Sequence, residues 1–350
     1  MSPALSVLDP SPIFEGQTGG QALQETRAMA QRCEALGYAR YWVQEHHNTP
    51  CFASVAPEVL IADLAAHTHE ISIGAGGVML PNYSPLKVAE QFSTLSALHP
   101  GRIELGIGRA TGADPRASAA LLGPGAASFP TMLRLLMDWL LDASGQRALD
   151  ADHRASGIHA RPSAPAVSLW TLVSSPETAA FAGAMGLRAA FADFLAPGGA
   201  APALAAYREA FSPSAFAAEP YCAVAYTVLA APSAAAARVA AAPAAAWNIA
   251  RAAGHFAPFP KAAAAKKVLE RAGPAALKAA EERMLIGTAA QVAAELTARC
   301  AASGADEAFL LTIAASPEAR AQSYRLIAEA AGLSPRGTAG APIAAQAALG

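Results

Sequence analysis

The chain has 350 residues, of which 53% are hydrophobic and 15% charged, a composition that excludes disorder over most of the length. Its 25 Lys and Arg residues against 27 Asp and Glu residues give a net charge of −2, which offers no broad positive field for nucleic acid. No run approaches the roughly 18–20 consecutive apolar residues that span a bilayer. We therefore expect neither nucleic acid nor membrane as a partner. Four widely spaced cysteines and an N-terminus unlike a secretory signal predict a cytoplasmic protein.

Short runs suited to strands alternate along the chain with longer helical patterns, which indicates an α/β fold with parallel strands. Eight runs are predicted as strands: Leu5–Asp9, Arg40–Gln44, Ile71–Met79, Arg102–Ile107, Val167–Val173, Arg188–Ala192, Tyr221–Leu229 and Glu307–Ile313. Eight segments are predicted as helices: Gly20–Leu36, Pro57–Ala66, Pro85–Leu98, Phe129–Leu141, Glu177–Met185, Pro202–Phe211, Val292–Cys300 and Glu318–Ala331.

Eight strand-and-helix units favour a TIM (β/α)8 barrel over a doubly wound sheet. We expect one domain over residues 1–332, followed by a low-complexity, disordered tail over 333–350. Two connections are unusually long and are predicted as insertions after strands 4 and 7: residues 111–166, with one helix, and residues 230–288. The second is interpreted either as a lid or binding loop, or as an ordinary helix with a disordered lead-in.

In a barrel, functional residues gather just beyond the C-terminal ends of the strands. The second predicted strand is followed there by Glu45, His46, His47 and Asn48. A lone histidine would be read as part of a solvated loop, but two in succession at a strand end also suit proton transfer near neutral pH. Both readings remain open from the residues alone.

The third predicted strand contains Gly74, Gly76 and Gly77, although glycine weakens a strand. Two requirements explain such glycines equally well. The backbone either lies against a flat aromatic cofactor or packs closely against the neighbouring strands of the barrel.

Residues after the fourth and fifth predicted strands suit an anion site. Arg109 lies between glycines, and its planar guanidinium matches phosphate geometry. Ser174, Ser175 and Thr178 begin a helix whose free N–H groups and hydroxyls form either an ordinary helix start or a phosphate cradle.

A dinucleotide-binding loop is the alternative for the glycines around Arg109. The spacing there is GxGxxxG, no capped helix is expected to begin at once, and no acidic residue follows at about 20 positions to bind ribose. We therefore favour the anion site.

These motifs together resemble the bacterial luciferase-like flavin-dependent monooxygenases over about residues 4–332. The resemblance rests on the runs YWVQEHHN (41–48), GAGGVMLPNYSP (74–85), AEQF (89–92), HPGR (99–102), GIGR (106–109), SSPET (174–178) and IGT (286–288).

The resemblance implies a TIM barrel that binds reduced FMN at its C-terminal end, with a separate flavin reductase as partner and a homodimer as assembly. It makes His46 the catalytic residue that exchanges protons beside the flavin. It places Gly76 and Gly77 at a non-prolyl cis peptide against the flavin ring, and assigns the phosphate to Arg109, Ser174, Ser175 and Thr178.

The function that these features predict is an FMN-dependent monooxygenase. Reduced FMN and O2 would form a C4a-peroxyflavin that oxygenates a small organic substrate, without a metal. Two alternatives remain: a hydride-transferring oxidoreductase that uses the deazaflavin coenzyme F420, and a non-catalytic flavin-binding protein. Gly108 stands where the luciferases proper carry a reactive cysteine, so light emission is not implied. Residues 230–274 match no pattern of the family, so the substrate is not predicted.

Overall fold

Parallel strands close into a barrel in the computed structural model, which describes residues 2–122 and 127–336. The order around the barrel follows the chain, and the last strand closes it between the seventh and the first. The predicted TIM barrel is confirmed. Its eight strands are β1 (Ala4–Asp9), β2 (Arg40–Val43), β3 (Ser72–Met79), β4 (Ile103–Gly108), β5 (Ser168–Val173), β6 (Arg188–Ala192), β7 (Cys222–Ala231) and β9 (Glu307–Leu311).

Helices surround the barrel, and several begin at the caps that the sequence provides. Thr18, Ser175 and Thr288 each form a capping box with the helix that follows. No helix in the described part of the chain is long and apolar enough to cross a membrane. The helices are α1 (Gly19–Ala35), α2 (Pro57–Ala66), α3 (Pro85–Leu98), α4 (Pro115–Leu121), α5 (Phe129–Ala143), α6 (Pro176–Ala184), α7 (Ala200–Ala210), α8 (Ala234–Ala252), α9 (Ala262–Arg271), α10 (Pro274–Glu281), α11 (Ala289–Ser303) and α12 (Pro317–Ala330).

The long connection after β7 contains more regular structure than predicted. It holds α8, α9, α10 and a ninth strand, β8 (Met284–Thr288), so the alternative of an ordinary helix with a disordered lead-in is wrong. β6 pairs with the first part of β7, residues 222–225, and β8 pairs with the second part, residues 227–231. β8 therefore extends the barrel wall at its C-terminal end. The connection after β4 likewise holds two helices, α4 and α5, instead of one.

Two layers of buried side chains stabilise the barrel. The larger layer lies between strands and helices, and the smaller one fills the barrel interior. In the interior, Trp42 lies edge-on to Trp170 with ring centroids 5.1 Å apart, and its ring is 4.3 Å from that of Phe309. Aromatic pairs at these distances add specific attraction to the burial of apolar surface. The interior is therefore a packed core below the C-terminal opening.

A buried ionic cluster occupies the N-terminal end of the barrel. Arg40 Nε lies 2.9 Å from Glu104 Oε2, and Arg40 Nη1 lies 2.7 Å from Glu307 Oε2. Tyr221 donates a hydrogen bond to Glu307 and Trp42 donates one to Glu104. Both carboxylates are buried, and each has a cation and a neutral donor as partners.

The first residues of the predicted tail are placed against the barrel. The backbone N–H of Arg336 donates to the carbonyl of Ala35, at the end of α1, over 3.2 Å. The rest of the predicted tail, residues 337–350, lies outside the described residues.

Candidate active site

A cavity of about 630 Å3 opens at the C-terminal end of the barrel. Residues that follow β2, β4 and β6 line it, together with residues of β7, β9 and α8. Most of the lining is apolar or aromatic. A cavity of this size and character, at this end of a barrel, suits a small organic ligand.

His46 lies in the wall of this cavity, just after β2. Its ring stacks on that of Phe52 at 4.7 Å, and its Nε2 lies 3.3 Å from Oε1 of Gln44. This contact is a hydrogen bond to the amide oxygen in the tautomer that carries the proton on Nε2. Burial, with a smaller contribution from neighbouring His47, lowers the pKa of His46 to about 4. The imidazole is therefore neutral at pH 7.

Glu45 fixes the strand end that carries His46, and its role was not predicted from the sequence. Its carboxylate is fully buried and accepts hydrogen bonds from the backbone N–H of Met79, the amide of Asn82 and the hydroxyl of Tyr83. His47 Nε2 lies 2.7 Å from the same carboxylate. Glu45 thus ties the loop after β2 to the segment after β3. An acidic residue directly behind an apolar strand is the signal that could have indicated this role.

The glycines of β3 are explained by packing inside the barrel. A methyl group on Gly76 would lie 2.6 Å from Leu8 and 2.8 Å from Trp42, and one on Gly77 would collide with the carbonyl oxygen of Gly106. The Gly76–Gly77 peptide bond is cis, as the family resemblance implies. Close packing of neighbouring strands is therefore sufficient to require glycine at both positions.

The predicted anion-site residues follow two adjacent strands. In the β4–β5 pair Ile107 lies opposite Thr171, so the loop that begins with Arg109 and the loop that begins with Ser174 leave the barrel side by side. Arg109 and Ser174 are exposed. Among the described residues, no carboxylate lies within 4 Å of the Arg109 guanidinium.

Ser175 and Thr178 form the capping box of α6, in which the Thr178 hydroxyl accepts from the backbone N–H of Ser175 over 3.2 Å. These residues therefore form an ordinary capped helix start, which was one of the two alternatives for them. Its polar groups also lie at the end of the barrel where Arg109 is exposed, which is the arrangement that a phosphate site needs.

The predicted site residues do not all meet in one cavity. His46 lines it, whereas Gly76, Gly77, Arg109, Ser174, Ser175 and Thr178 are not part of its lining. The structure brings together a histidine with an apolar cavity, and separately places an arginine and a capped helix in neighbouring loops. The described residues hold no group of three or more potential metal ligands.

A short capped helix, α4, begins at Pro115, whereas β4 ends at Gly108, so no capped helix begins directly at the strand end. Asp114 accepts hydrogen bonds from the backbone N–H groups of Arg116 and Ala117 and caps α4. The same carboxylate accepts from Asn48, over 2.6 Å, so the loops after β2 and β4 are joined. The missing acidic partner for ribose still argues against a dinucleotide site.

The donor set fits a phosphorylated flavin. The exposed guanidinium of Arg109 and the hydroxyls at the start of α6 can bind its phosphate. The fit rests on the exposure of Arg109 and the chemistry of these donors.

Comparison with known proteins gives the family. Residues 4–307 match the family model described as luciferase-like monooxygenase. The uncharacterized protein YwcH of Bacillus subtilis (strain 168) is 44% identical over 215 residues, which cover 60% of this chain and 63% of that protein. A luciferase-like monooxygenase of Escherichia coli (strain K12) is 43% identical over 218 residues, covering 61% of this chain and 62% of that protein. Both matches span less than two thirds of the relative's length.

A solved structure is similar to this chain over nearly its whole length. The crystal structure of apo-MsnO8 is similar with a TM-score of 0.86 and 35% sequence identity, and the match covers 96% of this chain and 99% of that chain. Fold, motifs and family model lead to one conclusion: this chain belongs to the luciferase-like monooxygenase family.

Proposed function

We propose that this protein is an FMN-dependent monooxygenase that acts on a small organic substrate. The observation that carries the proposal is the neutral imidazole of His46 in the wall of an aromatic cavity, at the end of the barrel where Arg109 is exposed. A proton-exchanging group, an apolar cavity and a phosphate ligand are the parts that such an enzyme needs from its protein.

Reduced FMN, when bound, would supply two electrons to O2, so that one oxygen atom enters the substrate and the other leaves as water. Arg109, Ser174, Ser175 and Thr178 would hold the phosphate, and the backbone of Gly76 and Gly77 would face the ring.

The chain's own residues account for the remaining requirements. The aromatic walls of the cavity provide an apolar environment, which strengthens electrostatic interactions. We assign proton exchange to the imidazole of His46, because it lines the cavity and is neutral at pH 7. Glu45 is a positioning residue, since it acts only by holding the loops around His46. We further propose a separate reductase as the source of reduced FMN and a homodimer as the assembly.

The test follows the reoxidation of flavin. Photoreduced FMN is mixed with aerated buffer, with and without an excess of the protein, and flavin absorbance is recorded in a stopped-flow instrument. The proposal predicts that bound FMN reoxidises more slowly than free FMN, with a transient species of distinct absorbance. If FMN reoxidises at the same rate with and without the protein, and the protein binds F420, the hydride-transfer enzyme would be favoured.

His46→Ala separates catalysis from simple flavin binding. The variant should bind FMN with nearly unchanged affinity and show altered reoxidation kinetics. Tight FMN binding with identical kinetics in the wild type and the variant would favour the non-catalytic flavin-binding protein.

A further inference from the structure

The charged groups of the cavity are unevenly balanced. Arg251 and Arg283 line it as cations, and the carboxylate among the lining residues is that of Asp114. Asp114 is already engaged by Asn48 and by two backbone N–H groups of α4. His46 is neutral at pH 7 because of its lowered pKa. The cavity therefore presents positive charge that its own walls do not neutralise.

Arg251 is the cation with the more specific environment. It lies in the last turn of α8, and its guanidinium lies over the ring of Trp247, 5.6 Å from the centroid. Its Nε is buried without a hydrogen-bond partner, and no carboxylate within the described residues lies within 4 Å of the group. A buried guanidinium donor without a partner is costly unless a ligand accepts its hydrogen bond.

An aromatic cluster lies between Arg251 and His46. The rings of Phe52, Trp247 and Phe259 are in mutual contact, with centroids 5.1 to 5.8 Å apart, and His46 stacks on Phe52. An apolar chain that covers this cluster would have one end at Arg251 and another part beside His46.

We infer that the cavity selects an organic anion, in which a carboxylate or sulfonate pairs with Arg251 and an apolar portion packs on Phe52, Trp247 and Phe259. The inference rests on the proposed function only in assigning the cavity to the organic substrate. Arg251 is then a specificity-determining residue, distinct from Arg109, which we assign to the flavin phosphate. Its planar fork of donors matches either oxyanion.

Equilibrium binding tests the inference without turnover, so its failure is separate from failure of the monooxygenase proposal. The probes are 4-phenylbutyrate and its uncharged analogue 4-phenylbutanamide, titrated calorimetrically into protein that contains saturating FMN and into protein without it. A second series uses 4-phenylbutanesulfonate, to distinguish carboxylate from sulfonate as the preferred anion. The variants are Arg251→Gln, Arg251→Lys and the matched control Arg238→Gln, an exposed arginine on the same helix.

The wild type should bind the acid at least about tenfold more tightly than the amide, because a charge-assisted hydrogen bond forms only with the anion. Arg251→Gln should remove that preference, Arg251→Lys should keep part of it, and Arg238→Gln should change nothing. FMN affinity and thermal unfolding should be unchanged in all three variants.

Four results would overturn the inference. The wild type could bind neither acid, or bind the acid and the amide equally. Arg251→Gln could weaken both probes alike, which would indicate a packing role on Trp247. Arg251→Gln could instead weaken FMN binding in parallel, which would assign the guanidinium to the flavin phosphate.

Discussion

The arginines at the two ends of the barrel have different partners. At the N-terminal end Arg40 lies between the buried carboxylates of Glu104 and Glu307, and each carboxylate receives a further hydrogen bond. At the C-terminal end Arg109 is exposed and the Nε of Arg251 is buried, and within residues 2–122 and 127–336 neither guanidinium has a carboxylate partner and that Nε has no acceptor. The cluster around Arg40 is electrostatically complete, whereas Arg109 and Arg251 have no carboxylate partner among the described residues.

This difference separates stabilising groups from binding groups. A buried charge whose partners are all within the protein contributes to the folded state and leaves nothing for a ligand. A donor without a partner gains its hydrogen bond only when a ligand arrives. We therefore expect substitution of Arg40 to change stability, and substitution of Arg109 or Arg251 to change ligand affinity.

The largest expected effect is the loss of stability in Arg40→Met. Removing the guanidinium leaves two buried carboxylates without a counter-charge, which should lower the free energy of unfolding by about 3–5 kcal/mol. Urea denaturation followed by circular dichroism measures the change.

Arg325→Met is the matched control, because Arg325 pairs with Glu329 on the exposed surface of α12. It should cost no more than about 0.5 kcal/mol. Equal costs at the two positions would remove the distinction between the buried cluster and a surface pair.

The second effect concerns Arg109→Ala, which should weaken FMN binding by roughly ten- to a hundredfold through the loss of charge-assisted hydrogen bonds. Riboflavin, which has no phosphate, should bind the variant and the wild type equally. Flavin fluorescence titrations give both affinities, and Arg116→Ala, another exposed arginine after β4, is the control. Parallel losses for the two flavins would disprove the phosphate assignment.

The third effect is a dependence of stability on pH that His46 causes. The pKa of His46 is about 4 in the folded protein, whereas its ordinary value is 6.5. Between pH 4 and pH 6.5 the unfolded state therefore binds more protons than the folded state. The stabilisation is present in full above pH 6.5 and decreases as the pH falls towards 4. Near pH 5 the loss relative to pH 7 should be about 2 kcal/mol.

Urea denaturation of wild type and His46→Gln at pH 7 and pH 5 isolates this contribution, because the other titrating groups are common to both proteins. The variant should lose about 2 kcal/mol less than the wild type between the two pH values. An identical pH dependence would show that His46 is solvated and titrates normally.

The barrel could be predicted from the sequence because its signals are local. Each of the eight barrel strands is a short apolar run bounded by turn residues, and capping residues such as Thr18 and Ser175 identify helix starts. β8 was missed because it is a five-residue strand that follows an Ala-rich segment without alternating polarity. Its pairing with β7 depends on β7 extending past β6, which is a tertiary property.

The candidate site was predictable only in part for the same reason. His46 and Arg109 follow apolar strands, so their place at the C-terminal end could be inferred. The buried contacts of Glu45 with Met79, Asn82 and Tyr83 join segments more than thirty residues apart. An acidic residue directly behind an apolar strand is a local signal, but it does not identify these distant partners. Arg251 lies within an Ala-rich segment that gave no signal, although it carries the inference about substrate charge.

The central claim is that the C-terminal end of this barrel binds reduced FMN through its phosphate. The direct test is an anaerobic titration of the wild type with photoreduced FMN, photoreduced riboflavin and reduced F420, followed by the change in protein fluorescence. The account predicts that FMN binds at least about tenfold more tightly than riboflavin, and more tightly than F420. Equal affinities for FMN and riboflavin, or tighter binding of F420, would contradict it.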